Sequence, residues 1–236
     1  MTLYTYVKTN KKPFRKIAAI ISFVCIASGI SLLIWVLYPI FTFEFFYAPK
    51  FNEIIKPIPG EFIKNSIADF PAILSAETTD YTKASVWFPK AFQLKIAASN
   101  ITSYSLSIPK LGINEARVLV GGEDLSKNLI QFTGPTPGEY GNPVIFGHST
   151  LLWFYNPKDY KTIFSKLPEL KKDDEIYIHV DSLVYRYKIY EMKIVWPDDI
   201  SVLEQRFDAP YITLVTCVPP GTYLKRLIVR GKLTNL

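Results

Sequence analysis

The stretch YITLVTC spans residues 211–217, and RLIVRG follows at residues 226–231. Both runs are rich in Val, Ile, Leu and Thr, residue types that favour strands. The Pro-Pro-Gly sequence at residues 219–221 predicts a turn between them. The second run can therefore return antiparallel beside the first, which would bring Arg226 toward Cys217.

Other short β-rich runs precede this pair, each bounded by turn residues. They are SYSLSIP, ARVLVGG, NPVIFGH, DEIYIHV and LVYRYKIYEMKIVW, and only brief helical stretches such as DYKTIFSKL separate them. Seven or more short strands with Gly and Pro turns favour a β-barrel or sandwich over a parallel α/β sheet. A mainly β domain is therefore expected over residues 101–236.

The N-terminal part of the chain has the composition of a membrane segment. No charged residue occurs from Ile17 to Phe43, and at about 1.5 Å per residue this run exceeds the roughly 30 Å of hydrocarbon that a helix must cross. It predicts one transmembrane signal-anchor over residues 17–43. A cleaved signal peptide is the alternative, but its apolar region would span only about 7–15 residues.

The positive charge is concentrated before this segment. Residues 1–16 hold five Lys and Arg, whereas residues 44–236 hold 22 basic and 21 acidic residues. This asymmetry predicts a cytoplasmic basic segment, a single pass through the plasma membrane and an extracytoplasmic remainder. The near-neutral remainder gives no electrostatic support for nucleic-acid binding.

Residues 44–100 have a different sequence pattern from the β-rich part of the chain. FYAPKFNEIIKPIPGEF, DFPAIL and WFPKAF carry prolines spaced so that long helices are broken repeatedly. An extracellular stalk or small N-terminal subdomain is predicted, without assigned chemistry.

The two cysteines have different surroundings. Cys25 lies inside the predicted membrane helix, so Cys217 is the only thiol of the predicted external domain. A disulfide framework is excluded there, and a leftover cysteine suggests a reactive thiol or an intermolecular link. The structural alternative is a buried cysteine that serves only packing.

Only two histidines are available to activate a thiol. His148 follows the strand-like run VIFG and precedes a polar Ser-Thr pair, a strand-end position from which a side chain can act. His179 alternates with the apolar residues of IYIHV, which predicts a solvated strand face. His148 is therefore the candidate partner of Cys217, because a nearby imidazole shifts a thiol toward thiolate.

A guanidinium near the thiol would serve acyl transfer, because it stays protonated and offers a rigid fork of donors to an oxyanion. Arg226 is the candidate from the predicted hairpin. Arg230 lies four residues further along the same run and Arg186 lies among tyrosines in another, so both are weaker competitors.

At these residues the chain resembles the sortase family of membrane-anchored cysteine transpeptidases. The resemblance is carried by TLVTC with the following RLIVRG, by IFGHS at residues 145–149, by SLSIPKLGI at 105–113 and by TPGEYGN at 136–142. It covers about residues 101–236 in order. It implies a closed eight-stranded sortase-type β-barrel with short helices as the catalytic domain.

The resemblance also implies roles for four residues. Cys217 would attack an LPxTG-like sorting motif to give a thioacyl enzyme, and His148 would transfer protons. Arg226 would hold the substrate and stabilise the oxyanion, and Thr216 would help bind substrate. The implied partners are surface proteins with a C-terminal sorting signal and an amine acceptor, from a peptidoglycan precursor or a pilin.

Departures from the family pattern bear on the subclass. After RGKLTNL no second apolar segment follows, and no clear Asp-Pro-aromatic lid motif precedes residue 101. A monotopic, class D/E-like or housekeeping sortase is therefore expected, rather than a lidded pilin polymerase. The loop of residues 197–210 corresponds to the one that sets motif preference in relatives.

The same loop contains several acidic residues, which in some sortases form a calcium site. Because a hard cation needs several converging oxygens, a solvated acidic loop is the favoured interpretation, and no metal or other cofactor is predicted. The residues are Asp198, Asp199, Glu204 and Asp208.

Two other functions use the same residues differently. A hydrolytic exported cysteine peptidase would release its product to water, although papain-like local signatures are absent. A non-catalytic exported binding module would carry an unreactive Cys217.

Overall fold

The computed structural model describes residues 12–51, 80–88 and 101–234, with side chains from residue 17 onward in the first range. The chain divides into two compact units, Met1–Thr42 and Phe43–Leu236.

The first unit contains one long helix, α1, which spans Lys12–Thr42. The apolar helical run Ile17–Phe51 has a mean hydropathy of 2.6 in its most apolar part, none of which is buried in the protein. The prediction of one N-terminal apolar helix long enough to cross a membrane is therefore confirmed. This helix is a candidate membrane anchor.

The second unit is a closed β-barrel in which the strands follow the order β1-β2-β3-β4-β7-β8-β6-β5. All neighbours pair antiparallel except β2 with β3 and β4 with β7, which are parallel. The strands are β1 (Ser103–Ile108), β2 (Ile113–Val120), β3 (Leu129–Thr133), β4 (Val144–Phe146), β5 (Glu175–Val180), β6 (Leu183–Val195), β7 (Tyr211–Val218) and β8 (Lys225–Leu233).

The predicted barrel is confirmed, and two local details differ from the sequence analysis. The strand β3, with the sequence LIQFT, was not among the predicted runs. Residues 159–167, predicted as a brief helical stretch, instead form turns that lead into the 3-10 helix Leu167–Glu169. One reason is that the amide of Phe164 donates to the carbonyl of His148, rather than to a carbonyl of its own segment.

Other short helical segments surround the barrel. A π-helix at Phe43–Tyr47 leads directly into α2 at Ala48–Phe51. The 3-10 helices are Ala84–Val86, Pro109–Leu111, Leu152–Phe154, Leu167–Glu169 and Ile200–Leu203.

Two apolar layers lie on opposite faces of β7, because successive side chains of a strand alternate. Ile212, Leu214 and Val218 belong to the layer that fills the barrel. Val215 and Cys217 belong to a second layer on the outer face. The candidate nucleophile therefore lies on the outside of the barrel wall, beneath further polypeptide.

The described parts of the segment predicted as a stalk or subdomain pack on this barrel. Ala48 and Phe51 join the barrel-filling layer, whereas Ala84, Trp87 and Phe88 join the outer one. The rest of that predicted segment, residues 52–79 and 89–100, lies outside the described residues. Phe43, the last residue of the predicted membrane segment, also joins the barrel-filling layer.

Gly147 occupies a position where the barrel has no room for a side chain. A Cβ atom there would lie 2.4 Å from Phe164 and 2.6 Å from Leu129, both in the packed interior. The glycine thus lets the chain pass close to the core just before His148.

We expect Gly147→Ala to lower the free energy of unfolding by about 1–3 kcal/mol, because the added methyl group overpacks the core. Thermal and denaturant unfolding of the full chain in detergent would measure this. Adding Phe164→Leu should recover part of the loss, because the shorter side chain frees space. An unchanged unfolding free energy in Gly147→Ala would contradict the packing assigned here.

Candidate functional site

Cys217 and Arg226 face each other across the β7–β8 hairpin, as the Pro-Pro-Gly turn predicted. They are direct register partners, and each is only 1% exposed. The Arg226 guanidinium donates through Nη1 to the carbonyls of Tyr223 (3.0 Å) and Lys225 (3.3 Å). Its charge is therefore held at the thiol by backbone carbonyls, and among the described residues no carboxylate lies within ion-pair distance of it.

His148 is brought to the same place from the other side of β7. The strand β4 runs parallel to β7 with Phe146 opposite Val215, so the chain two residues later reaches the level of Cys217. The Ser149 hydroxyl donates to the carbonyl of Cys217 at 2.6 Å. This hydrogen bond ties the histidine segment to the cysteine strand at the end of the sheet.

Thr216 points to the opposite face of β7 from Cys217, as strand alternation requires. It is fully buried, and its hydroxyl donates to the carbonyl of Gly147 at 2.8 Å. The side chain therefore holds β4 to β7. A substrate-binding role for Thr216 would fall to its backbone and stays a prediction.

Trp87 lies against two of the predicted site residues, His148 and Arg226, and belongs to the same buried apolar layer as Cys217. Its ring meets the His148 ring edge-on with centroids 5.6 Å apart, and the Arg226 guanidinium carbon lies 5.4 Å from its centroid. Its carbonyl accepts a hydrogen bond of 3.2 Å from Arg226 Nη2. On its other side the ring stacks on Phe146 at 5.3 Å.

The segment that carries Trp87, residues 80–88, is fastened to the barrel at several points. Backbone hydrogen bonds join Ala84 to Glu123 and Leu125 to Thr82, in the connection between β2 and β3. The ring of Tyr81 stacks on Tyr223 of the β7–β8 turn, with centroids 4.0 Å apart and planes 7° from parallel. We call residues 80–88 the covering segment.

The thiol is buried in this arrangement, and burial shifts its protonation. Burial raises the pKa of Cys217 to about 11, although the nearby Arg226 charge acts to lower it. Burial likewise lowers the pKa of His148 below its ordinary value, against the opposing effect of Asp124 and Asp80. Both groups are therefore neutral near pH 7, and the sulfur is closed off from solvent in the covered arrangement.

Two buried polar atoms at this site have no hydrogen-bond partner among the residues that the structure describes. They are Nε2 of His148 and Nε of Arg226. A buried unsatisfied polar group costs about 1–3 kcal/mol. The covered arrangement thus leaves hydrogen-bonding capacity unused on the two residues predicted to act on a substrate.

The weaker candidates lie elsewhere. His179 is half-buried on β5, opposite Ser105 of β1, in the alternating pattern that predicted a strand-face position. Arg230 is ion-paired with Glu191 at 2.9 Å, and Arg186 lies 3.8 Å from Glu175.

Two acidic side chains of the loop before β7 make separate local hydrogen bonds. Asp199 accepts from the Ser201 amide, and Asp208 accepts hydrogen bonds from Arg206 and Tyr211. Across the described ranges, no three His, Cys, Asp or Glu side chains are grouped as metal ligands.

Sequence reasoning missed the covering segment. No Asp-Pro-aromatic motif precedes residue 101, yet the sequence DYTKASVWF at residues 80–88 places a tryptophan over the site. The signal was only a pair of large aromatic residues in a segment with no strand or helix pattern. The absence of an Asp-Pro-aromatic motif therefore did not mean that the site is uncovered.

Comparison with known proteins agrees with this barrel. A family model described as "Sortase domain" matches residues 106–234, more than half of the chain. The chain belongs to the sortase family, whose members are cysteine transpeptidases.

The similar proteins include both a Sortase A and a Sortase D. The chain is 28% identical to Sortase A of Bacillus anthracis over 176 residues, which cover 74% of this chain and 72% of that protein. It is 31% identical to Sortase D of Bacillus subtilis over 134 residues, covering 54% of this chain and 61% of that one. The subclass stays a prediction.

Among solved structures, Sortase A from Corynebacterium diphtheriae matches with a TM-score of 0.50 and 29% identity. The match covers 59% of this chain and 64% of that chain.

We expect Trp87→Ala to raise the rate of Cys217 alkylation by iodoacetamide roughly tenfold or more, because uncovering the thiol removes the burial that disfavours thiolate. A Cys25→Ser background restricts the readout to Cys217. Trp153→Ala is the matched control, because Trp153 is 53% exposed. Tyr81→Ala, which removes only the ring stack on Tyr223, should give an intermediate rise. Equal rates in all variants would contradict the covering role.

The alkylation rate should also depend on pH in a distinctive way. With a thiol pKa of about 11, the thiolate fraction of the wild type should grow about tenfold per pH unit from pH 7 to 9.5, without levelling off. An ordinary thiol, with a pKa of about 8.5, begins to level off within this range. In Trp87→Ala the plateau should move to lower pH, and a wild-type plateau below pH 9 would contradict the assigned burial effect.

Proposed function

We propose that the protein is a membrane-anchored transpeptidase in which Cys217, His148 and Arg226 cleave an LPxTG-like sorting motif and join its acyl part to an amine. The observation that supports this most directly is their convergence on one outer face of the barrel, on three adjacent strands or strand ends. Membership of the sortase family supports the reaction type.

In the first step the Cys217 sulfur attacks the carbonyl carbon of the scissile peptide bond. The proton of the thiol passes to His148, and the tetrahedral intermediate collapses as the C–N bond breaks. His148 returns the proton to the departing amine. The product is a thioester between Cys217 and the acyl part of the sorting motif.

In the second step an acceptor amine attacks the thioester carbonyl. His148 takes one proton from the amine nitrogen, and the C–S bond breaks as the new amide bond forms. That proton restores the thiol. One amide bond is exchanged for another, so the reaction requires no external energy source.

Arg226 supplies the positive charge for both tetrahedral intermediates. Its guanidinium lies opposite Cys217 in the register of the hairpin, and charged donors that are fixed in advance stabilise an oxyanion without reorganisation. When Trp87 leaves, Nη2 loses the carbonyl to which it donates. The substrate oxygen then takes the place of that carbonyl, and Nε becomes available as well.

The natural substrates are proposed to be surface proteins with a C-terminal sorting signal. The acceptor is an amine of a peptidoglycan precursor or a pilin. The apolar helix holds the enzyme in the plasma membrane, with a cytoplasmic N-terminus and the barrel outside, as the basic residues before Ile17 predict.

The test uses the full chain in detergent with a library of LPxTG-like peptides and an excess of small amine, followed by mass spectrometry. Wild type and Trp87→Ala are compared, so that a covered site is distinguished from an inactive one. We expect amine-ligated product and an acyl adduct on Cys217. Release by water alone would favour a hydrolytic peptidase, and no adduct even in Trp87→Ala would favour a non-catalytic module.

Substitutions in the same assay test the separate roles. Cys217→Ala should abolish turnover, and His148→Ala should lower it by about 10²–10⁴, the typical value of positioned proton transfer. Arg226→Ala should lose about 10²-fold or more, the effect of removing an oxyanion donor. Arg230→Ala is the matched control: the residue lies four positions further on β8, is paired with Glu191, and should change turnover little. Near-normal turnover in Arg226→Ala would refute its role.

A further inference from the structure

The end of the barrel that carries the β7–β8 turn exposes apolar side chains beside a lysine. Trp196 is 61% exposed and Leu224 56% exposed. The ammonium of Lys225 lies 5.5 Å from the centre of the Trp196 ring. An exposed tryptophan and leucine with an adjacent long cationic side chain form an amphipathic surface, which we call the Trp196 patch.

The chain enters the barrel domain at this patch. Glu44 is the first charged residue after Lys16, and its carboxylate pairs with Lys225 at 3.0 Å. A charged residue that ends an apolar membrane segment lies at the level of the lipid headgroups, because burying it in hydrocarbon is costly. The ion pair therefore brings Lys225, and with it Trp196, to the same level.

The residues after Glu44 lead away from this end of the barrel. Tyr47 and Phe51 line a groove together with Ile189, and Ile189 pairs with Gly231 at the far part of β8. By contrast, Val195, the residue before Trp196, pairs with Arg226. Within this unit, Glu44 thus lies at the end of the barrel that carries Lys225, and Tyr47 and Phe51 lie further from that end.

The chemistry of the patch fits a bilayer surface. Tryptophan is enriched where hydrocarbon meets headgroups, and lysine extends its ammonium to phosphate while its methylene groups stay in apolar surroundings. Phe46, 69% exposed two residues after Glu44, adds a further apolar side chain at this level.

We propose that the Trp196 patch rests on the lipid bilayer, with Trp196 and Leu224 at the boundary of headgroups and acyl chains and Lys225 among the phosphates. Arg226 and Cys217 lie next to this end of the hairpin, so the active site would open close to the membrane surface. The inference rests on the proposed membrane anchoring and adds the face and residues that touch the lipid.

The experiment uses the full chain in vesicles of phosphatidylcholine with a minority of phosphatidylglycerol. In a Cys25→Ser and Cys217→Ala background, Leu224→Cys is labelled with an environment-sensitive fluorophore. Lipids with a nitroxide near the headgroup end of the acyl chain then quench it. The matched control is Leu183→Cys: Leu183 is 57% exposed, but it begins β6, roughly 40 Å along the strand from Val195 at about 3.3 Å per residue.

We expect quenching at Leu224 to be at least about twofold stronger than at Leu183, because the patch lies within about 5–10 Å of the acyl boundary. Trp196→Cys, labelled in the same way, should behave like Leu224→Cys and guards against a local effect of one label. Equal quenching at all three positions would overturn the patch contact.

Flotation of the same vesicles separates this inference from the proposed function. Protein that floats with the vesicles, with equal quenching at the two ends of the barrel, keeps the anchor and overturns only the patch contact. Protein that does not float with the vesicles overturns both.

Discussion

The site depends on β7 being paired along both edges. One edge receives β8 antiparallel, which sets Arg226 opposite Cys217. The other receives β4 parallel, which carries the chain on to His148 at the same level. Because backbone hydrogen bonds fix both registers, a shift by one residue would turn Cys217 to the barrel interior and abolish the site.

The second constraint on the structure is that the buried guanidinium of Arg226 needs hydrogen-bond acceptors. Arg226 is nearly fully buried without a carboxylate partner among the described residues, and three carbonyls accept its hydrogen bonds, one of them from Trp87. A buried charge requires such compensation. The covering segment is therefore part of the electrostatic balance of the covered state, and a substrate that displaces it must offer an equivalent oxygen.

The parts of this structure differ in how far sequence could predict them. The β7–β8 hairpin was predictable, because Pro-Pro-Gly and two β-rich runs lie close along the chain. The position of His148 needed the parallel pairing of β4 with β7, which joins residues 69 apart, such as Gly147 and Thr216. Local residue patterns do not encode such a pairing, so they marked His148 only as a candidate at a strand end.

The position of Trp87 over the site could not be predicted from local sequence patterns, for a related reason. Its contact with Arg226 joins residues 139 apart, and its segment has neither a strand nor a helix period. The site that the indole fills forms only when the outer face of the barrel is assembled. Phe146 then lies beneath the indole and the β7–β8 turn lies beside it.

The burial of Cys217 also bears on how the thiol resists oxidation. Oxidants attack the thiolate and convert it to sulfenic and then to irreversible sulfinic acid. A thiol with a pKa of about 11 under a fully buried tryptophan holds about 100-fold less thiolate at neutral pH than one with a pKa of 9. Burial of Cys217 in the covered state thus lowers the fraction of thiolate that oxidants can attack.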